Sequence, residues 1–363
     1  MALIYDESQR QIAEECDRIL KNAFSAPALK QLLEQSGAYD TGFWDICVSQ
    51  GWPAIAVPEA AGGLGLGLSE QGIVAQACGK VVCGAPFLNT GYAVSEAIGR
   101  FGDAAAREKW LPALAAGEVK GIVALAEGRA PLPKAPAVRF EDGRLTGTKT
   151  AVPGGGAGDL AIVLAATCDG PALVLADLSG AETRRHLLPT FDNSRLAADM
   201  AFAGTPAQLL AADGIQAART ILCLLAVATA HEQVGGAEAV FASARAYALE
   251  RYAFGQPLAA FQSIKHRLAE NYTLIELARS NAQYAAHNVD DPHFARYAAA
   301  ARIAATEAYD TASRDAMQVF GGLGGTWEAD LHLHQRRART LAVEIGNNLF
   351  WEDELVEELR RAC

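Results

Sequence analysis

Between positions 6 and 24 apolar residues recur at Ile12, Ile19, Leu20 and Phe24, the spacing of one buried helix face. Asp6 and Ser8 stand where a helix start would be capped. Positions 43–52 and 69–83 repeat the helical pattern, and the whole stretch to about residue 118 reads as helical. After Gly117 the texture changes. Pro131, Pro133 and Pro136 exclude a helix, Glu141-Asp-Gly143 is a turn signal, and β-type runs follow at 144–152, 160–166 and 172–178. From Asp213 the helical period returns, with long segments at 214–252, 263–287, 294–319 and 330–361. The pattern predicts an α+β chain with an N-terminal helical domain (1–118), a middle antiparallel β domain (119–211) and a C-terminal four-helix-bundle domain (212–363).

Composition narrows the partners. At 363 residues, two or three domains are expected, and 51% hydrophobic with 20% charged residues is the balance of a folded globular chain. A net charge of −11 argues against nucleic acid or an anionic membrane as partner, although local arginines can still hold a phosphorylated ligand. The longest apolar run, at 221–230, falls short of the roughly 20 residues that cross a bilayer. Met1-Ala-Leu-Ile-Tyr-Asp6 lacks the layout of a signal peptide. The seven cysteines have no Cys-x-x-Cys spacing, which points to free thiols in a reducing cytoplasm. No metal site is expected, since the seven histidines are scattered and His332 and His334 would face different sides of a helix.

Three glycine clusters invite comparison. Gly62-Gly-Leu-Gly-Leu-Gly67 lacks the context of a dinucleotide fingerprint, because no acidic residue follows between positions 81 and 92 to hold a ribose. It reads as a tight loop between helices, and Gly154-Gly-Gly156 as a β turn. Gly321-Gly-Leu-Gly-Gly325 differs, because a plain connection between helices needs one glycine and this one has four. Glycines there expose backbone N–H groups and let a phosphate chain approach closely.

Arg251-Tyr-Ala-Phe-Gly255, followed by Phe261-Gln262, resembles the Arg-x-x-Phe-Gly signature of the acyl-CoA dehydrogenase family. The loop Val57-Pro-Glu-Ala-Ala-Gly-Gly-Leu-Gly65, the stretch Leu111-Pro-Ala-Leu-Ala-Ala-Gly117, Gly147-Thr-Lys149 and the Gln318 to Gly325 segment are similar to further family motifs, in the same order. The resemblance implies a flavoprotein in which FAD lies across a subunit interface, its adenosine diphosphate end held by the neighbouring subunit. Arg251, Phe254, Gln262, Gln318, Gly321, Gly322 and Gly324 match those positions. Arginine suits the task, offering a forked, permanently charged donor to phosphate. The implied chemistry is α,β-dehydrogenation of an acyl-CoA thioester. A carboxylate removes the α proton, the β hydride passes to the flavin, and an external acceptor then takes the electrons.

The match fails at particular places. Where the family offers a Thr-Glu-Pro strand against the flavin ring, this chain reads Ala126-Glu127-Gly128. Where a Trp-x-Thr or Trp-x-Ser strand follows, it reads Ala151-Val152-Pro153. Ala126 and Val152 are thus the ring-facing positions, without a hydroxyl. The usual base positions are Leu225, roughly eight turns before Phe254, and Ile345, one residue beyond Glu344. Two candidate bases remain: Glu232 on the long helix, although roughly 10 Å along the axis from Leu225, and Glu344, one residue short of the loop position. Leu145-Thr-Gly-Thr-Lys149 and the ending Thr326-Trp-Glu328 are similar to bacterial members acting on steroid side chains. That group forms two-plus-two heterotetramers in which one subunit type lacks the base. The expectation is therefore the base-lacking subunit of a heteromeric enzyme with a paralogous partner. The alternatives are a self-sufficient homo-oligomer and a relative that binds FAD or CoA esters without turnover.

Overall fold

The computed structural model describes residues 5–23, 26–34 and 37–361; Phe24, expected on the first helical face, lies outside them. Six helices come first: α1 (Glu7–Ala23), α2 (Ala26–Glu34), α3 (Thr41–Ser49), α4 (Leu68–Lys80), α5 (Phe87–Phe101) and α6 (Ala104–Ala115). The helix at α1 forms because Cys16 and Leu20, one turn apart, are buried, with Ile12 and Ile19 half-buried beside them. Asp40 and Asp103 cap α3 and α6, accepting from the backbone N–H of Phe43 and Ala106. The glycine-rich loop between α3 and α4 follows a 3-10 turn at Trp52–Ala54 rather than a strand. It closes on itself: a Cβ on Gly63 would sit 1.9 Å from the Val57 carbonyl oxygen, so only glycine fits.

Seven strands follow: β1 (Gly121–Ala124), β2 (Arg139–Glu141), β3 (Arg144–Val152), β4 (Leu160–Thr167), β5 (Gly170–Asp177), β6 (Thr183–Leu187) and β7 (Ala198–Ala211). Their order is β1-β4-β2-β3-β7-β5, with β6 on β7 and β5 also paired to β4, so the sheet curls back on itself. The expectation of an antiparallel domain needs correcting in part. β1 runs parallel to β4, and β2 meets β4 in parallel at Arg139 and Ala166. The proline-rich passage after β1 and the β2–β3 hairpin act as the crossover that parallel pairing requires. β4 is buried along Leu160 to Ala165, which explains its unbroken apolar run.

The last third contains α7 (Gly214–Glu250), a small hairpin of β8 (Tyr252–Ala253) and β9 (Gln256–Pro257), α8 (Gln262–His287), α9 (Phe294–Phe320), α10 (Leu331–Leu341) and α11 (Asn348–Arg361). Positions 330–361, expected as one helical segment, break at 342–347. Ile345 and Gly346 have left-handed backbone there, and Asn347 accepts from the Phe350 N–H to start α11. α7 is long and apolar enough to cross a membrane, but 83% of its most apolar window is buried in the protein, as in a core helix.

Two compact units emerge. One holds positions 1–26, 72–83 and 226–363; the other holds 27–71 and 84–225. In the first, α4 and α7 cross at backbone contact. A Cβ on Gly79 would lie 1.9 Å from the Glu232 carbonyl oxygen, and one on Gly235 would lie 1.8 Å from that of Gln76. Beside this crossing Arg337 of α10 donates to the Glu232 carboxylate at 2.9 Å, with the two side chains 0% and 3% exposed. Its other NH2 donor reaches the Cys83 carbonyl at 2.7 Å. His231, the neighbour of Glu232, packs its ring against Gly72, and burial pushes its imidazole down to about 4. It is neutral at physiological pH.

Truncating one partner of such a pair strands the other charge in the core. Glu232→Ala should cost about 3–5 kcal/mol in denaturant unfolding. The double change Glu232→Leu with Arg337→Met should recover most of that loss. Equal losses in the single and double variants would contradict the pairing.

Candidate functional site

α7 and α9 end side by side. Tyr247, one turn before the end of α7, stacks on Phe320, the last residue of α9, with ring centroids 4.1 Å apart and planes inclined by 13°. This contact brings the Arg251 segment and the Gly321 segment, far apart in sequence, to one end of the helical unit.

Past α7 the chain makes the β8–β9 hairpin. Its two-residue turn is Phe254 (φ 53°) and Gly255 (φ 81°), the pair of positive φ values of a type I′ turn. Phenylalanine is a costly residue there, and its ring is 96% exposed, touching Phe261 edge-on at 6.3 Å. The Arg251 backbone is fixed at both ends: its N–H donates to Tyr247 and its carbonyl accepts from Leu258. Its guanidinium is exposed and has no protein partner among the described residues. Gln262 at the start of α8 and Gln318 near the end of α9 are exposed as well. The nearby Arg267, by contrast, is paired with Asp315.

Gly321–Gly325 forms a short 3-10 turn after α9. A Cβ on Gly321, Gly322 or Gly325 would meet nothing within 4 Å, so these three leave open space beside the exposed backbone. Gly324 serves differently. A Cβ there would lie 2.4 Å from the Met317 carbonyl oxygen, so this buried glycine lets the turn pack on its own helix. Arg251, Gln262, Gln318 and Gly321–Gly325 together give one permanent cation, two amides and open backbone. That donor set fits a diphosphate with an attached base or sugar.

The positions expected to face the flavin ring lie in the other unit. Ala126 follows β1, half-buried, and Val152 ends β3, fully buried. The Thr150 N–H donates to the Ala126 carbonyl at 3.0 Å, joining the two segments. Lys149, 0% exposed, donates to the Leu125 carbonyl at 2.9 Å and to Glu127 at 2.6 Å. Burial lowers the Lys149 ammonium below its usual value, opposed by Glu127. For Glu127 burial acts upward, but hydrogen bonds from Lys149 and from the Ala137 and Val138 amides hold the carboxyl below its usual range. The frame is well built, yet Ala126, Val152 and Pro153 offer no side-chain donor or acceptor. These residues fit a flat ring only through apolar contact and backbone.

The base positions are equally bare. Leu225 is buried and apolar in α7. Ile345 is half-buried in the loop after α10, with φ 53°. Glu232 is held by Arg337, and Glu344 has its backbone carbonyl bonded to Arg302. The sequence leaves Arg302 and Arg337 unmarked, and it shows Lys149 only as part of a motif, without a role. For Arg337 a signal existed: Leu333, Arg337 and Leu341 fall at i, i+4 and i+8, so the arginine stands in the buried stripe of α10.

Comparison with known proteins gives a consistent result. The family model for the acyl-CoA dehydrogenase N-terminal domain matches residues 6–118, and that for the C-terminal domain matches 212–349. The chain is 30% identical over 339 residues to acyl-CoA dehydrogenase IpdE2 of Mycobacterium tuberculosis, covering 91% of each protein. Its fold matches a glycine-to-alanine variant of the Tcur3481-Tcur3483 steroid ACAD, with a TM-score of 0.90, 25% identity and 98% of each chain covered. It also matches a chain of the ChsE4-ChsE5 complex from Mycobacterium tuberculosis, with a TM-score of 0.91, 23% identity and 99% of each covered. The helical, β and helical order and the motifs at Arg251 and Gly321 have their explanation here: the chain belongs to the acyl-CoA dehydrogenase family, whose members are FAD-dependent oxidoreductases.

Proposed function

We propose that this chain works in FAD-dependent α,β-dehydrogenation of an acyl-CoA thioester as the base-lacking subunit of a heteromeric enzyme. In that role it completes the adenosine diphosphate half of an FAD site whose ring side belongs to a paralogous subunit. The observation that carries the reading is a contrast. Arg251, Gln262, Gln318 and the open turn at Gly321–Gly325 stand together at one end of the helical unit, while Ala126, Val152, Leu225 and Ile345 offer no hydroxyl or carboxylate. The Tcur3481-Tcur3483 steroid ACAD, named for two components, supports the heteromeric part of the reading and makes a steroid-derived acyl group the preferred substrate class.

Each residue then has a task that its chemistry suits. Arg251 donates in a fork to the diphosphate, and its exposed guanidinium gives up no protein partner to do so. Gln262 and Gln318 orient the neighbouring sugar or base through their amides. Gly321 and Gly322 admit the ligand to the backbone because no side chain occupies that space. Phe254, fixed outward by its turn, covers the flat base and excludes water. FAD, when bound, supplies the acceptor for the β hydride. No proton step is assigned to this chain, since Glu232 is committed to Arg337. With FAD bound, its electrons would leave to an acceptor outside the complex.

Two outcomes test this. Arg251→Ala in the assembly should weaken FAD binding roughly 10- to 100-fold, the equivalent of one charge-assisted contact of about 1.5–3 kcal/mol. Arg251→Lys should recover only part, as read by flavin fluorescence during titration. Unchanged affinity in Arg251→Ala would remove this end from the cofactor site. Second, the purified chain alone, supplied with FAD and an acyl-CoA substrate without oxygen, should show no bleaching of flavin absorbance. Co-expression with a neighbouring paralogue should bring bleaching back. Full bleaching by the chain alone would overturn the subunit reading.

A further inference from the structure

The loop at 342–347 is held from beneath by a buried cation. α10 ends at Leu341, and its last carbonyls lack helical partners. The Ala342, Val343 and Glu344 N–H groups turn back to Ala338 and Thr340, which leaves the Leu341 and Glu344 carbonyls to be satisfied otherwise. Arg302 of α9, fully buried, satisfies both through one NH2 group, at 3.2 Å for Glu344. Its NH1 group donates to the Gln233 carbonyl oxygen at 2.5 Å and to the Thr306 hydroxyl. Its Nε, buried too, has no hydrogen-bond partner among the described residues.

Charge explains why an arginine is tolerated there. Among the described residues no carboxylate bonds it directly, but the negative end of the α10 dipole points at it, and Glu344 and Glu232 lie within its field. Burial draws the guanidinium down to about 10, so it remains a cation at neutral pH. The loop above needs such a hold. Ile345 is β-branched yet sits at φ 53°, a conformation such residues avoid. Gly346 follows at φ 108°, where a Cβ would lie 2.4 Å from the Phe350 ring. A backbone strained at Ile345 relaxes unless its surroundings over-determine it.

We propose that Arg302 is a positioning residue: by bridging the Leu341 and Glu344 carbonyls it holds the 342–347 loop, strained at Ile345, as a preformed wall toward the acyl-CoA. The facing toward acyl-CoA rests on the functional reading above; the hold itself does not. The loop therefore has its shape before any ligand binds, and position 345 is a rigid seat whose side chain carries no base.

The test is hydrogen exchange on the full chain, which needs neither cofactor nor turnover. Arg302→Met should speed exchange of the amides at 342–347 by at least about tenfold, with those of α8 unchanged. Arg302→Lys keeps the charge and one donor toward the carbonyls, and should restore most of the protection. Thr306→Val removes one partner of the NH1 group, on the side away from the loop, and should leave the loop amides as they are. If Arg302→Met does not fold, a smaller increase confined to 342–347 in Arg302→Lys supports the proposal. Unaltered loop exchange, or an increase spread evenly through the bundle, overturns it while leaving the dehydrogenase reading in place.

Discussion

A carboxylate and a guanidinium meet at 2.9 Å with almost no access to water, and the helical unit is arranged around them. Neither charge could be buried alone, since the cost of removing an ion from water exceeds what packing returns. Once Glu232 is paired with Arg337, α10 must meet α7 at that point, and the Cys83 carbonyl fixes the chain just past α4. Gly79 and Gly235 then allow α4 and α7 to touch backbone to backbone. The same pairing commits the Glu232 carboxylate to Arg337 inside the helical unit.

The direction of α10 in turn determines where its loop emerges, and Arg302 supports that loop from α9. Two buried arginines thus serve one helix along its length, Arg337 from its own face and Arg302 at its C-terminal end. At the opposite end of α9 the Tyr247–Phe320 stack holds the Arg251 hairpin beside the Gly321 turn. The proposed half-site for adenosine diphosphate is a consequence of where two long helices stop. The segments expected to face the ring are built with equal care, around the buried Lys149, and carry apolar side chains at Ala126 and Val152.

Much of this order could be read from the chain. The strand at Arg144–Val152 and the helix starts at Gly214 and Phe294 follow from periodicity and from flanking glycine, aspartate and proline. Gly346-Asn347 was a legible stop signal, hidden by the strong helical pattern on either side. The parallel pairing of β1 with β4 was not legible, because partners joined by a long crossover leave no local trace. The buried pairs were hidden for the same reason. Arg337 and Glu232 are 105 residues apart, and a search for partners at helical spacing could not join them. Family motifs disclosed the residues of the proposed half-site, yet only the geometry separates Gly324, which packs on its own helix, from Gly321 and Gly322, which face open space.

The central claim is that this chain completes a cofactor site without owning a whole one. It is tested most directly by counting FAD per polypeptide, from flavin absorbance and amino-acid analysis, in the chain purified alone and in its assembly with a paralogue. The account predicts a colourless chain alone and one FAD for each pair of unlike chains in the assembly. One tightly held FAD per chain in the protein purified alone would contradict it.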